Sequence, residues 1–234
     1  MNSKHCILYL LILLALFNYA CGVKGSGNMV TEARQLSVFS GIELRGVADV
    51  YIKQGDVQSV QVEAEENLTE SILTTINSDE LLIDVDSENH PTRPVNVHIT
   101  VKEICKLELT GSGSMTSLNS LECEALTMRL SGSGKIVVNT KAQQLKASLA
   151  GTGRIELKGS VEDADIRIIG SGNVDAQNLR AQRAAVSISG EGSGTIDVID
   201  QLVANISGIG FVYYVNEPGL ITSRISGKGD VLKI

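Results

Sequence analysis

A Gly-x-Gly pair recurs seven times along the second half of this 234-residue chain, and its spacing restricts the possible folds more than any other feature. The pairs are Gly111-Ser-Gly113, Gly132-Ser-Gly134, Gly151-Thr-Gly153, Gly170-Ser-Gly172, Gly190-Glu-Gly192, Gly208-Ile-Gly210 and Gly227-Lys-Gly229, with starts 18 to 21 residues apart. A repeat of that length holds one supersecondary unit. Two residues before the first glycine stand Leu109, Leu130, Leu149, Ile168, Ile188, Ile206 and Ile225. Four before it stand Leu107, Met128, Ala147, Ile166, Val186, Ala204 and Ser223, and six before it Cys105, Leu126, Leu145, Ala164, Ala184, Leu202 and Ile221. Past the glycines, Met115, Ile136, Ile155, Val174, Ile196, Val212 and Val231 make a further column, counting from Gly192 where Ser193-Gly194 extends the turn. The positions between are mostly polar.

This is a period of two inside a period of about 19. Each unit therefore reads as strand, tight turn, strand and second bend. One unit cannot bury its own apolar side, but units stacked at strand spacing turn the columns into continuous inward ladders. The expected fold is all-β: a parallel β-helix, or β-solenoid, with coils of about 19 residues and Gly-x-Gly corners. No stretch holds a period of 3.6, which excludes a helical repeat.

Residues 31–101 are less regular but carry the same alternation in Phe39–Leu44, Ala48–Lys53, Ser59–Glu63, Glu80–Val85 and Val95–Val101, with a short helix or loop at Leu68–Ile76. They are expected to extend the solenoid and close its first end, since open strand edges invite aggregation. One β-solenoid domain then spans 31–234, with its regular coils over 102–234.

The first residues have a different character. Lys4 precedes an apolar run from Ile7 to Phe17, about eleven residues, too short for a hydrocarbon core that needs roughly 20. It suits the apolar region of a secretory signal peptide. The run closes on Phe17-Asn-Tyr-Ala-Cys-Gly22, which resembles a lipobox despite Asn18 and Tyr19. That resemblance implies a lipoprotein signal ending at Cys21, acylation of Cys21 and a membrane anchor. Residues 22–30, with their glycines and serine, then read as a flexible tether.

The formal charge of −7 becomes −8 once the leader's Lys4 is lost, and no basic cluster offsets it. Such a balance argues against nucleic acid or anionic lipid as partner. Of the cysteines beyond the leader, Cys105 and Cys123 fall at inward positions in different columns, which favours two buried thiols over a disulfide.

The opening Phe39-Ser-Gly-Ile-Glu-Leu-Arg-Gly-Val-Ala-Asp-Val-Tyr-Ile and the succession of Ser-Gly-Ser-Gly turns resemble the head GIN domain, a family of adhesin-like proteins found among Bacteroidetes lipoproteins and periplasmic proteins. The likeness spans residues 31–234 and is specific for fold, not for a reaction. It implies a non-catalytic envelope protein, lipid-anchored in the outer membrane, and brings no catalytic residues. The chain departs from it at Thr152, Ile209, Lys228 and the insertion at Gly190–Gly194. With no translocator barrel before Ile234, the auto-transporter half of the family's description is expected not to apply.

Candidate sites are few. Strands follow each Gly-x-Gly, whereas a phosphate cradle needs a helix amino terminus there. His98 lies in the outward phase of a strand and His90 beside Pro91, so neither suggests catalysis or metal binding. Glu156, Asp175 and Asp197 form an acidic column on this register, a weak candidate cation site that Lys135 and Arg154 can neutralise. Phe211-Val-Tyr-Tyr214 holds three of the five aromatics beyond the leader, with Phe211 and Tyr213 in the outward phase. Outward rings on a rigid sheet suit stacking on sugars or anchoring a protein partner, although they equally suit covering the end of the solenoid. The expected function is a binding or adhesion surface for glycan or envelope protein, needing no cofactor. An accessory or signalling protein that recognises one partner is the alternative. A β-helix polysaccharide lyase or hydrolase fits less well, because short turns leave little to build cleft walls.

Overall fold

A computed structural model describes residues 22–86 and 88–234. Its strands are β1 (Met29–Arg34), β2 (Gly41–Gly46), β3 (Asp49–Gln54), β4 (Ser59–Glu65), β5 (Ile72–Asn77), β6 (Glu80–Val85), β7 (Asn96–Val101), β8 (Lys106–Gly111), β9 (Ser114–Gly132), β10 (Lys135–Gly151), β11 (Arg154–Gly170), β12 (Asn173–Gly190), β13 (Ser193–Gly208), β14 (Phe211–Tyr214), β15 (Leu220–Gly227) and β16 (Asp230–Lys233). One 3-10 turn, Glu66–Ser71, precedes β5, so the stretch expected as helix or loop is a turn followed by a strand. The whole is a β-solenoid of about 7 turns, with parallel bridges about 19 residues apart.

Strand β11 shows how sequence becomes coil. Ile155 and Leu157 face inward, then Lys158, Gly159 and Ser160 are all exposed as the chain bends. Val161 turns in again, and after a second bend Ala164, Ile166 and Ile168 complete the inward set. The ladders predicted before the glycines hold: Leu109, Leu130, Leu149, Ile168, Ile188, Ile206 and Ile225 pair in register from coil to coil. All but Ile225 are buried. Each such side chain contributes roughly 1.5–3 kcal/mol by leaving water.

The corner explains the repeat. Gly151 adopts φ +119°, and a Cβ there would lie 2.5 Å from the carbonyl oxygen of Gly132 in the coil below. That same oxygen accepts hydrogen bonds from the N–H groups of Thr152 and Gly153, each 3.0 Å long. The corner therefore stacks backbone on backbone, where only glycine fits. An eighth corner, Gly46-Val47-Ala48, stacks under Gly111–Gly113. Its third position is alanine, so it does not carry the Gly-x-Gly signature.

Order in space departs from order in sequence at the first end. Strands β2 and β3 lie between β6 and β7 on one side and β8 and β9 on the other, all parallel. Beyond β6 and β7 the pairing turns antiparallel: β5 closes β6, β4 closes β7, and β1 lies outermost on β4. These three strands and the 3-10 turn cap the solenoid. Among the described residues the last coil, β15 and β16, has no such cover, and Leu220, Ile225, Leu232 and Ile234 are exposed there.

Three expectations change. Residues 22–28 are not a free tether, because they are hydrogen-bonded onto the cap: His90 N donates to Val23 O and Gly25 N to His90 O, both at 3.0 Å. Asn67 also holds this segment, accepting from Ser26 N and donating to Lys24 O, each at 2.9 Å. Next, Cys105 is exposed, with its Sγ 3.5 Å from Ser40, and Ile104 takes the inward place. It precedes β8, outside any strand ladder that would fix its phase. Cys123 is only partly covered, and partial burial pushes its thiol up. Both thiols are free. The third change concerns the extended turn. Gly190-Glu-Gly192 is itself the corner, Gly194 pairs with inward Val174, and Ile196 pairs with Ala176 two positions further on.

Candidate binding face

The strands that follow the corners present one outward face, and the register fixes which side chains neighbour each other on it. Phe211 and Tyr213 stand two apart on β14, which points both outward while Val212 between them is fully buried. Their rings stack with centroids 6.1 Å apart and an interplanar angle of 20°. Both are half-buried, since each ring covers part of the other. Tyr214, expected inward, packs partly buried against the core. Phe211 lies between Ser193 and Asp230, and Tyr213 between Thr195 and Leu232.

Followed from coil to coil, the row through Tyr213 runs Thr195, Asp175, Glu156, Val137, Thr116 and Tyr51. At its far end Tyr51 stacks on His98 of β7, with centroids 5.0 Å apart and rings 14° from parallel. Six steps at strand spacing separate the two tyrosines, roughly 29 Å. One row of outward positions thus carries Tyr213 and Tyr51 six steps apart, each stacked on a second ring. The sequence could have offered this, because Tyr51 and His98 both occupy outward phases. The signal was lost because β3 and β7 pair across more than forty residues of intervening chain.

The acidic column is shorter than the sequence register implies. Glu156 and Asp175 are cross-strand neighbours, but Asp197 lies opposite Arg180, because the shifted insertion puts Thr195 beside Asp175. Asp197 instead accepts a hydrogen bond from Asn216 Nδ2 at 2.9 Å. Glu156 pairs with Lys135 Nζ at 2.9 Å and lies 4.0 Å from Arg154. Asp175 accepts from the backbone N–H of Gln177 at 3.2 Å. Among the described residues no group of three or more His, Cys, Asp or Glu side chains could hold a metal ion. The middle of the row is therefore mostly polar, with Val137 its apolar member, and the charge of Glu156 is met by Lys135.

The strands leading into the corners carry a shallow depression of about 400 Å³ beside Asp163 and Arg183. These two form a bidentate pair with both contacts at 2.7 Å, which holds the carboxyl below its ordinary range and raises the guanidinium. Their charges are spent on each other.

The family model for the head GIN domain, described as "putative auto-transporter adhesin", matches residues 38–218. The chain belongs to that family. Solved structures bear the same fold as this head GIN domain. A putative adhesin from Bacteroides fragilis superposes with TM-score 0.86 at 22% identity, covering 91% of this chain and 100% of that one. A putative adhesin from Parabacteroides merdae gives 0.72 at 23%, with 92% and 100% covered. A putative lipid-binding protein from Parabacteroides distasonis gives 0.73 at 24%, with 91% and 99% covered. No curated protein matches the sequence. Membership supports an adhesion-type role at the surface or envelope, without assigning any residue a task. Among the described residues no helix of the head GIN domain is long and apolar enough to cross a membrane. Cys21 and the leader before it lie outside the described residues.

Proposed function

We propose that this head GIN domain is an adhesion module of the cell envelope, anchored by lipid at Cys21, in the outer membrane, and that it binds glycan chains along the outward face between Tyr51 and Tyr213. The observation that carries this reading is the row itself: aromatic rings at Tyr51 and Tyr213, each stacked on a second ring, hydroxyl and carboxylate groups between them, and the cations of Lys135 and Arg154 beside Glu156. Aromatic rings contact the apolar faces of sugars, while polar side chains between them exchange hydrogen bonds with hydroxyls. The surface is built on strands, so little ordering entropy is lost on contact.

The test is a glycan-array assay of the soluble chain from Gly22, beside the double variant Phe211→Ala/Tyr213→Ala. Binding that the double variant loses, with its circular dichroism unchanged, supports the reading. Binding that survives the change moves the contact elsewhere. No binding by the wild-type chain refutes the glycan reading and favours a protein of the envelope as partner, a role the same aromatic rings can serve.

A further inference from the structure

The segment next to the acylation candidate is welded to the cap. Glu65, 1% exposed, accepts from Gly27 N at 2.5 Å, Thr92 N at 2.7 Å, Thr92 Oγ1 at 2.6 Å and Arg93 N at 3.4 Å. One buried carboxylate thus ties residues 25–28 to the 88–93 loop. Gly22 and Gly25 pack so closely on Glu88 and on Glu65 that neither has room for a side chain. Cys21 is one peptide bond from Gly22, about 3.8 Å from Cα to Cα. The described chain is thus fixed to the cap from Gly22 onward.

A second observation lies at the other end of the cap's outermost strand. Val38 and Val57, 79% and 78% exposed, are the most exposed large apolar side chains among the described residues. They sit on the loops after β1 and before β4, at the end of β1 away from residues 22–28, the strand itself being roughly 20 Å long. Gln58 clamps both loops, donating to Ser37 O at 2.9 Å and accepting from Phe39 N at 3.3 Å. Two valines held side by side at one tip of the cap offer an apolar point that an interface of lipid headgroups and acyl chains can take up. Between the two points the cap carries charges of both signs, including the Glu32–Arg34 pair at 3.0 Å, so it has no strong preference for anionic lipid.

We infer that the cap is a lipid-facing surface. It lies along the bilayer, held by the acyl group on Cys21 at one end of β1 and by Val38 and Val57 dipping into the interface at the other. The inference rests on the acylation of Cys21 proposed above. The solenoid then stands off the membrane, with the Phe211–Tyr213 coil distal and the cap proximal.

The test uses the full-length protein purified from membranes and reconstituted in vesicles of phosphatidylethanolamine and phosphatidylcholine that contain nitroxide-labelled lipid. Single fluorophores are placed at Ala33→Cys on β1 or Leu232→Cys on β16, with Cys105 and Cys123 replaced by serine, and intact mass establishes acylation. Quenching several-fold stronger at position 33 than at 232, and reduced when Val38→Asp and Val57→Asp are combined, is the expected result. Equal quenching at the two positions of an acylated protein overturns the lipid-facing cap and leaves the anchor standing. A protein without the acyl mass refutes the anchor itself, and this inference goes with it.

Discussion

Two glycines in this chain respond oppositely to the same one-carbon change. At Gly151 a Cβ meets the carbonyl oxygen of Gly132 and the backbone sits at φ +119°. Gly151→Ala should therefore destabilise the domain by at least about 1–3 kcal/mol, read by urea denaturation. Gly194 has an ordinary backbone angle and faces inward, where a Cβ would lie 3.3 Å from Val186 Cγ1 and 3.5 Å from Ile168 Cδ1. Gly194→Ala should stabilise by about 0.4–1 kcal/mol, mainly by restricting the unfolded chain. Glu65 supplies a pH dependence. Hydrogen bonds, that from the Thr92 hydroxyl foremost, hold its carboxyl below the ordinary 4.5 despite its burial. A depressed carboxyl stabilises the fold fully above its unfolded value, and that stabilisation is lost as pH falls through the folded value. Glu65→Gln should lower the Tm at pH 7, and the gap from wild type should close as the pH is taken below 4.5, followed by thermal denaturation.

At the scale of the strand, one ladder offers its own control. Ile188 is 2% exposed in the middle of the column, whereas Ile225 is 42% exposed at its end. Ile188→Ala should cost about 2–5 kcal/mol and Ile225→Ala under about 1, both measured by denaturant titration. These ladders were legible in sequence because neighbouring coils pair in register and each inward column repeats at the coil period. Where an insertion enters, the same logic miscounts. Counting from Gly192 put Ile196 and Asp197 two positions out, since nothing in Gly-Glu-Gly-Ser-Gly says which glycine is the corner. The aromatic pair at Phe211 and Tyr213 could be read from period-two phase alone. Its counterpart at Tyr51 and His98 could not, because their neighbourhood depends on long-range pairing that local pattern does not encode. Residues 22–28 escape local pattern for a related reason: a Gly- and Ser-containing stretch looks like linker, and what holds it is Glu65, Asn67 and His90, some forty or more positions away.

Taken whole, the molecule is a rod with unlike ends. One end is sealed by antiparallel strands and a buried carboxylate, and at the other, among the described residues, β15 and β16 leave an open edge. Amide hydrogen exchange should reflect this, with β15 and β16 losing protection first and β2, β3, β6 and β7 last. The unlike ends also bear on how the chain is made. Strands β2 and β3 leave the ribosome before the strands that flank them on either side, so the earliest coil lies in the interior of the finished stack. It has no partner until residues near 80 have followed, and gains its second at about residue 106. Every later coil, by contrast, is laid on a ready edge as it arrives. Folding thus divides into a slow assembly of the sealed end, during which exposed strands need shielding, and a rapid sequential winding of the remainder.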